Sequence, residues 1–208
     1  PRSTLFPYTT LFRSANKKLY VNFKDGFVGT DLKDGEYLKD CSEYDDVIVF
    51  LKDGTYFVSK VSDKSYVGKD IIHIDIFRKN DKRTVYNVAY FDGSTGFTFL
   101  KRFNVPAVIK DKKYNVTQGA PHSQILYFSA NPNGETEVLT IYLKPKPRLK
   151  ILQFDFDFSS IMVKGRQSKG NILTKNWVKR IGIKEAGKPV EKAIPVWFDD
   201  ITRRLNNE

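Results

Sequence analysis

The sequence predicts an all-β protein, a propeller-like array of four-stranded antiparallel blades. A β-hairpin signal recurs five times along the 208 residues. Four of its turns begin at Asp25, Asp53, Asp92 and Asn133, which are 28, 39 and 41 residues apart; the fifth, around Gln167, follows 34 residues later. Periods of this size belong to arrays of small sheets rather than to one sandwich. No stretch shows helical periodicity with caps.

The first hairpin joins LYVNF (19–23) to FVGTDL (27–32), and the second joins VIVFL (47–51) to TYFVSKV (55–61), each through Lys-Asp-Gly. Asp-Gly and Asn-Gly supply the positive φ that tight hairpins need. SYV (65–67) and the alternating IIHIDIF (71–77) complete the second repeat. The third runs VYNVAYF (85–91), DGSTG, FTFLKRF (97–103), then PAVIK (106–110) and KYNVT (113–117). The fourth pairs ILYFSA (125–130) with ETEVLTIYL (135–143) across NPNG and continues into LKILQFDFDF (149–158). The fifth sets SSIMVK (159–164) against NILTKNWV (171–178) across a basic GRQSKG turn, followed by RIGIKE (180–185). That is about four strands per repeat and a partial disc of about four to five blades. Radial repetition also shields strand edges that would otherwise aggregate.

Residues 1–14 are set apart. TLFPYTTLFRS (4–14) resembles a translated sequencing adapter, and Pro7, Thr9 and Thr10 interrupt what a signal peptide would need as an apolar core. Blades are expected over 15–187 and the start of a further, truncated blade over 188–208. The chain reads as a fragment cut at both ends.

No apolar run approaches the roughly 18 residues of a membrane span. Cys41 is the only cysteine, which excludes a disulfide framework and fits a reducing, intracellular compartment. Asp40, Ser42 and Glu43 flank it, an unfavourable setting for a nucleophile. The net charge of +11 is uneven. Residues 144–192 hold 13 Lys or Arg against 4 Asp or Glu, whereas residues 1–143 hold 20 against 17. Such an excess suits an acidic partner, nucleic acid first, although lysines on outward strands also serve solubility.

Other constellations fit structure better than chemistry. Asp155 and Asp157 alternate with Phe154, Phe156 and Phe158, as on a strand with one solvated acidic face. His73 alternates with Ile72 and Ile74, so it faces solvent or a neighbouring blade, and His122 follows Pro121 in a loop. Neither histidine has a ligand partner at metal-binding spacing. There is no nucleophile elbow and no phosphate-cradling glycine loop before a helix.

The segment MVKGRQSKGNILTK (162–175) stands out. Gly165 and Gly170 allow a tight turn, and Lys164, Arg166 and Lys169 can each neutralise a phosphate. Gln167, Ser168 and Asn171 add neutral donors. The expected DNA-binding set is Lys144, Lys146, Arg148, Lys150, Lys164, Arg166, Lys169, Lys175, Lys179 and Arg180, ten cations within 37 residues. Removing Arg166 and Lys169 is expected to leave folding nearly intact, as surface charges contribute little. Arg78, Arg83, Lys101 and Arg102 are the next candidates.

The motifs VIVFLKDGTYFVSKVSDK, KNDKRTVYNVAYFDG, YFSANPNGETEVL and KGRQSKGNILTK carry a family resemblance. From about residue 18 to 208 the chain resembles the C-terminal domain of bacterial type IIA topoisomerase A subunits (topoisomerase IV or DNA gyrase), of the Bacteroidetes kind. The resemblance implies a β-pinwheel, a disc of four-stranded blades that bends duplex DNA around a basic rim and guides it to the strand-passage core. Gyrase members carry a glutamine-arginine-glycine-glycine-lysine-glycine box, of which GRQSKG (165–170) is at most a degenerate form. That departure favours relaxation and decatenation, with gyrase-type wrapping as the alternative. The family's catalytic tyrosine lies in another domain, so no catalytic residue, metal site or cofactor is expected in this chain, which should be inactive alone. ATP and Mg2+ would serve other parts of the parent complex. Its implied partners are duplex DNA, the remaining domains of the parent polypeptide and the ATPase B subunit in an A2B2 assembly. A cytoplasmic, nucleoid-associated location follows, without a membrane. Two rival classes are a protein-interaction scaffold, which lacks its tryptophan-aspartate signatures here, and a secreted carbohydrate-active propeller. Only Trp177 and Trp197 could serve the latter.

Overall fold

The computed structural model describes residues 15–185 and the strand Lys188–Val190; the expectations for residues 1–14 and 191–208 lie outside the described residues. The first repeat supplies β1 (Lys17–Asn22), β2 (Phe27–Gly29) and β3 (Glu36–Cys41). The second supplies β4 (Asp46–Leu51), β5 (Thr55–Lys60), β6 (Ser65–Tyr66) and β7 (Ile71–Phe77). The third supplies β8 (Val85–Asp92), β9 (Phe97–Phe103), β10 (Tyr114–Asn115) and β11 (Gln124–Asn131). The fourth supplies β12 (Val138–Leu143), β13 (Gln153–Asp157), a 3-10 turn (Phe158–Ser160), β14 (Val163–Lys164), β15 (Asn171–Thr174), β16 (Val178–Glu185) and β17 (Lys188–Val190). The expected all-β class holds.

The described residues form four sheets, in the orders β3-β1-β2-β6, β10-β5-β4-β7, β11-β8-β9-β14 with β15 also on β9, and β13-β12-β16-β17. One rule governs the first three. A hairpin forms the centre, a third strand of the same repeat flanks its first member, and the edge beside its second member comes from the next repeat. Pairing is antiparallel except for β14, which runs parallel to β9.

Segments as short as β6 and β10 need tertiary anchors, because two residues of pairing cannot order a chain on their own. Each is seated by a buried valine whose amide donates to the glycine carbonyl of the preceding hairpin turn. Val67 N–H reaches Gly26 O at 2.8 Å, and Val116 N–H reaches Gly54 O at 2.7 Å. At the first of these turns only glycine fits: φ is +77° at Gly26, and a Cβ would come 2.2 Å from Gly68 O.

The core lies between sheets. Along β4, Val47, Val49 and Leu51 pack toward the first sheet with Leu19 and Val21, while Ile48 and Phe50 pack toward the third with Tyr86, Val88 and Tyr90. Along β8, Ala89 and Phe91 face the fourth sheet with Leu139 and Ile141. A strand buried on both faces reads as a continuous apolar run, which is why VIVFL and VYNVAYF lack alternation.

Five expectations are corrected. SYV and KYNVT do not complete their own blades but finish the preceding ones, because their valines are buried there. ILYFSA and ETEVLTIYL are not a hairpin: β11 pairs with β8, and β12 pairs with β13 and β16. The Asn133–Gly134 turn exists, with φ +72° at Gly134 and Gly134 N–H donating to Asn131 O, but it carries the chain from one sheet to the next. The fourth hairpin turn is residues 144–152 instead. Likewise GRQSKG turns no hairpin of its own, since β14 and β15 both lie on β9. Residues 106–110 form no strand, and RIGIKE is the end of β16 rather than a separate strand.

Candidate nucleic-acid interface

The basic loop 165–170 is laid along the open edge of β9 by the two short strands on either side of it. Gly170, at φ +89°, lies so close to Leu100 that a Cβ would come 2.3 Å from its carbonyl oxygen. Gly165 has no neighbour within 4 Å of such a Cβ, so only one of the two glycines is demanded by geometry. A turn hydrogen bond from Ser168 N–H to Gly165 O, 2.9 Å, closes the loop.

The loop cations are held, not dangling. The Arg166 guanidinium stacks 4.4 Å from the Tyr114 ring centroid and donates to Ala107 O at 2.6 Å. Lys169 Nζ sits 4.6 Å from the Phe99 centroid and 3.2 Å from Asp92 Oδ2. Lys175 lies over Phe97 at 5.4 Å. Such contacts bury the stems and keep the charged heads at the surface. Asp92 is 0% exposed. Burial by itself would raise its carboxyl, but hydrogen bonds from Thr95, Lys169 and Ser94 outweigh that and hold it below the ordinary carboxylate value.

The ten expected cations divide between two sheets. Lys164, Arg166, Lys169 and Lys175 lie on or beside β14, β15 and their loop, on the third sheet. Lys144, Lys146, Arg148 and Lys150 belong to the β12–β13 turn, with Lys179 and Arg180 on neighbouring β16 of the fourth. That turn is closed by Leu143 N–H donating to Leu152 O, and it exposes Lys146, Arg148 and Lys150. Arg148 has φ +68°, and Lys144 is half-buried. Arg180 lies over its cross-strand partner Tyr142, 4.1 Å from the centroid.

Lys101 and Arg102 are not available to a ligand, being 1% and 8% exposed. Arg102 donates from Nε to Asn87 Oδ1 at 2.9 Å and from a terminal nitrogen to Gly134 O at 2.7 Å, which ties the third sheet to the chain crossing into the fourth. The Lys101 ammonium donates to Val116 O, Arg166 O and Ser168 O. Arg78 and Arg83 are exposed. The acidic pair resolves structurally. Asp155 accepts from Thr140 and pairs with Lys184, while Asp157 caps the 3-10 turn by accepting from Ser159 N–H. His73 packs against the third sheet, 5.2 Å from the Phe128 ring, and desolvation lowers its pKa. Among the described residues no group of three or more His, Cys, Asp or Glu could hold a metal ion.

Sequence reading missed the edges of the first two sheets. Lys64, Tyr66 and Lys69 lie on or beside β6, and Lys112, Lys113 and Tyr114 on or beside β10, topologically where the Arg166 loop lies on the third sheet. Lys64 sits over Phe27 at 4.6 Å and Lys112 over Tyr114 at 5.8 Å, repeating the cation-over-ring arrangement. The available signal was the internal echo of Asp-Lys-Ser-Tyr (63–66) in Asp-Lys-Lys-Tyr (111–114).

Comparison with known proteins agrees with this architecture. The family profile described as "Topoisomerase C-terminal domain, Bacteroidota" matches residues 18–186. The A subunit of DNA topoisomerase 4 from Borreliella burgdorferi (strain ATCC 35210 / DSM 4680 / CIP 102532 / B31) is 29% identical over 170 residues, covering 81% of this chain and 25% of that protein. The chain therefore spans a quarter of that relative's length. The crystal structure of the C-terminal domain of DNA topoisomerase IV superposes with a TM-score of 0.58 at 13% identity, over 82% of this chain and 62% of that one. At that identity the likeness speaks for the β-pinwheel fold alone.

Proposed function

The chain belongs to the topoisomerase C-terminal domain family of the Bacteroidota, and from that premise we propose that it binds and bends duplex DNA as part of a topoisomerase IV-like enzyme. The observation that carries this reading is the row of cations along the edges of successive sheets, ending in Arg166, Lys169 and Lys175 on the third. Lys64, Lys112, Arg166, Lys169 and Lys175 each hold their charged head over an aromatic ring, so several phosphates could be neutralised with little ordering cost. Phosphate contacts of this kind position a duplex without reading its sequence. No helix among the described residues is long and apolar enough to cross a membrane. The proposed location is the cytoplasm, at the nucleoid.

On this reading the domain guides DNA toward a strand-passage core for relaxation or decatenation. Its other proposed partners are the remaining domains of the parent polypeptide and the ATPase B subunit of an A2B2 assembly, in which ATP and Mg2+ act outside this chain. The degenerate GRQSKG loop supports topoisomerase IV-like action over gyrase-type wrapping.

A salt titration of binding to two unrelated long duplexes tests the proposal. With roughly six phosphates neutralised, log affinity should fall against log salt with a slope near −5, alike on both sequences. Arg166→Ala/Lys169→Ala should weaken binding and make the slope shallower by about 1 to 2. Unchanged affinity and slope in a folded double variant would remove this loop from the interface, and a slope near zero for the wild type would refute DNA binding.

A further inference from the structure

Lys101 is a lysine placed as a core residue. It lies on β9 between Leu100, which packs toward the fourth sheet, and Arg102, and its ammonium stands 4.9 Å from the Phe103 ring centroid. Its three hydrogens meet three carbonyl oxygens: Val116 O at 2.5 Å, Arg166 O at 2.9 Å and Ser168 O at 3.1 Å. That exhausts the donor capacity of an ammonium. The charged and titratable groups around it are engaged elsewhere. Arg166 turns its guanidinium to Tyr114 and Ala107 O, Lys169 pairs with Asp92, and the Tyr90 hydroxyl donates to Lys169 O at 2.6 Å. The compensation for this buried charge is a set of backbone dipoles drawn from two borrowed segments, one ending the second sheet and one ending the third.

An ammonium in this position dictates where the loop backbone runs. With the carbonyls of residues 166 and 168 drawn inward to one point, the loop closes over β9, and the intervening side chains are presented along the edge. Substituting an apolar residue would leave three carbonyls without partners, and the loop could satisfy them only by lifting into water.

We propose that Lys101 is the positioning residue of the basic loop, a buried charge that never touches DNA but holds Arg166 and Lys169 in the geometry that does. This rests on the reading of that loop as a DNA contact. A general packing role would change stability alone, whereas positioning must act through the two loop cations.

The test is a variant cycle on the same chain. Lys101→Met, which keeps the stem length and removes the ammonium, should weaken binding to a long duplex about tenfold and make the salt slope shallower by about 1 to 2. It should change neither when placed in the Arg166→Ala/Lys169→Ala background. A folded Lys101→Met protein with wild-type affinity and slope overturns the proposal, as does an equal loss in both backgrounds. If Arg166→Ala/Lys169→Ala itself leaves binding unchanged, the DNA reading of the loop has failed. Amide exchange then decides the positioning claim separately, because Lys101→Met must accelerate exchange across 165–170 while sparing 144–152. Should Lys101→Met not fold, Lys101→Gln, which keeps two donors, replaces it. The wild type also provides a check that needs no variant: its 165–170 amides must exchange more slowly than those of 144–152, and equal rates would overturn the positioning claim.

Discussion

Lys169 Nζ stands 3.2 Å from Oδ2 of Asp92, a carboxylate with no exposed surface at the head of the β8–β9 turn. The pair joins a hairpin turn of the third repeat to a loop of the fourth, so one lysine serves both the interface and the fold. The expectation that Arg166 and Lys169 could be removed without structural cost therefore needs revision. Removing Lys169 withdraws a partner from a buried charge, and removing Arg166 frees Ala107 O and uncovers Tyr114.

Asp92→Asn tests this coupling. Asp92 accepts from Ser94 and Thr95 as well as Lys169, so the substitution should cost about 1–3 kcal/mol. The depressed carboxyl also fixes the sign of an acid effect. Its contribution is complete above the ordinary carboxylate value and is lost as pH falls through the lower folded value. Wild type should thus lose stability below about pH 4 more steeply than Asp92→Asn. Parallel urea-unfolding curves for the two proteins across that range would contradict the assignment.

The two loop glycines should behave oppositely. Gly170→Ala places a Cβ against Leu100 O at positive φ and should cost on the order of 2–4 kcal/mol, with weakened DNA binding. Gly165→Ala meets open space and should stay within about 0.5 kcal/mol of wild type. Thermal unfolding of both variants reads this, and equal effects would mean the loop lies elsewhere.

The β12–β13 turn offers a cleaner electrostatic test than the Arg166 loop. Lys146, Arg148 and Lys150 are exposed, and no aromatic ring lies under any of them among the described contacts. Their triple alanine variant should keep its unfolding midpoint while the salt slope becomes shallower by about 2 to 3. A fall in midpoint without a change in slope would make this turn structural.

Burial pushes the Lys101 ammonium down to about 8. The folded chain therefore sheds that proton before the unfolded chain does, and between about pH 8 and 10.5 the unfolded state holds more protons. Stability relative to Lys101→Met should rise across that window, by on the order of 3 kcal/mol when complete. Chemical denaturation of both proteins at pH 7, 9 and 10 measures the difference. A wild-type advantage that shrinks with rising pH would show that the three carbonyls favour the ammonium by more than burial disfavours it.

Local chemistry made the first three hairpins legible. Asp25-Gly26, Asp53-Gly54 and the Asp92–Gly96 turn lie between strands whose apolar runs identify them within a few residues, because turn geometry and strand preference act over short distances. The motifs that carried the family resemblance were equally local, and so was the basic character of 162–175. Tertiary structure decided which sheet each strand joined. Nothing within SYV or KYNVT says that Val67 and Val116 are buried against the previous repeat, since pairing partners are selected by burial across sheets and not by the residues alongside. The same cause misled the reading of NPNG, a sound turn that leads into a different sheet. Lys101 shows the limit most clearly. In sequence it is one more cation in a basic protein, and only the convergence of carbonyls from two distant segments, in a place water does not reach, turns it from a surface charge into an internal support.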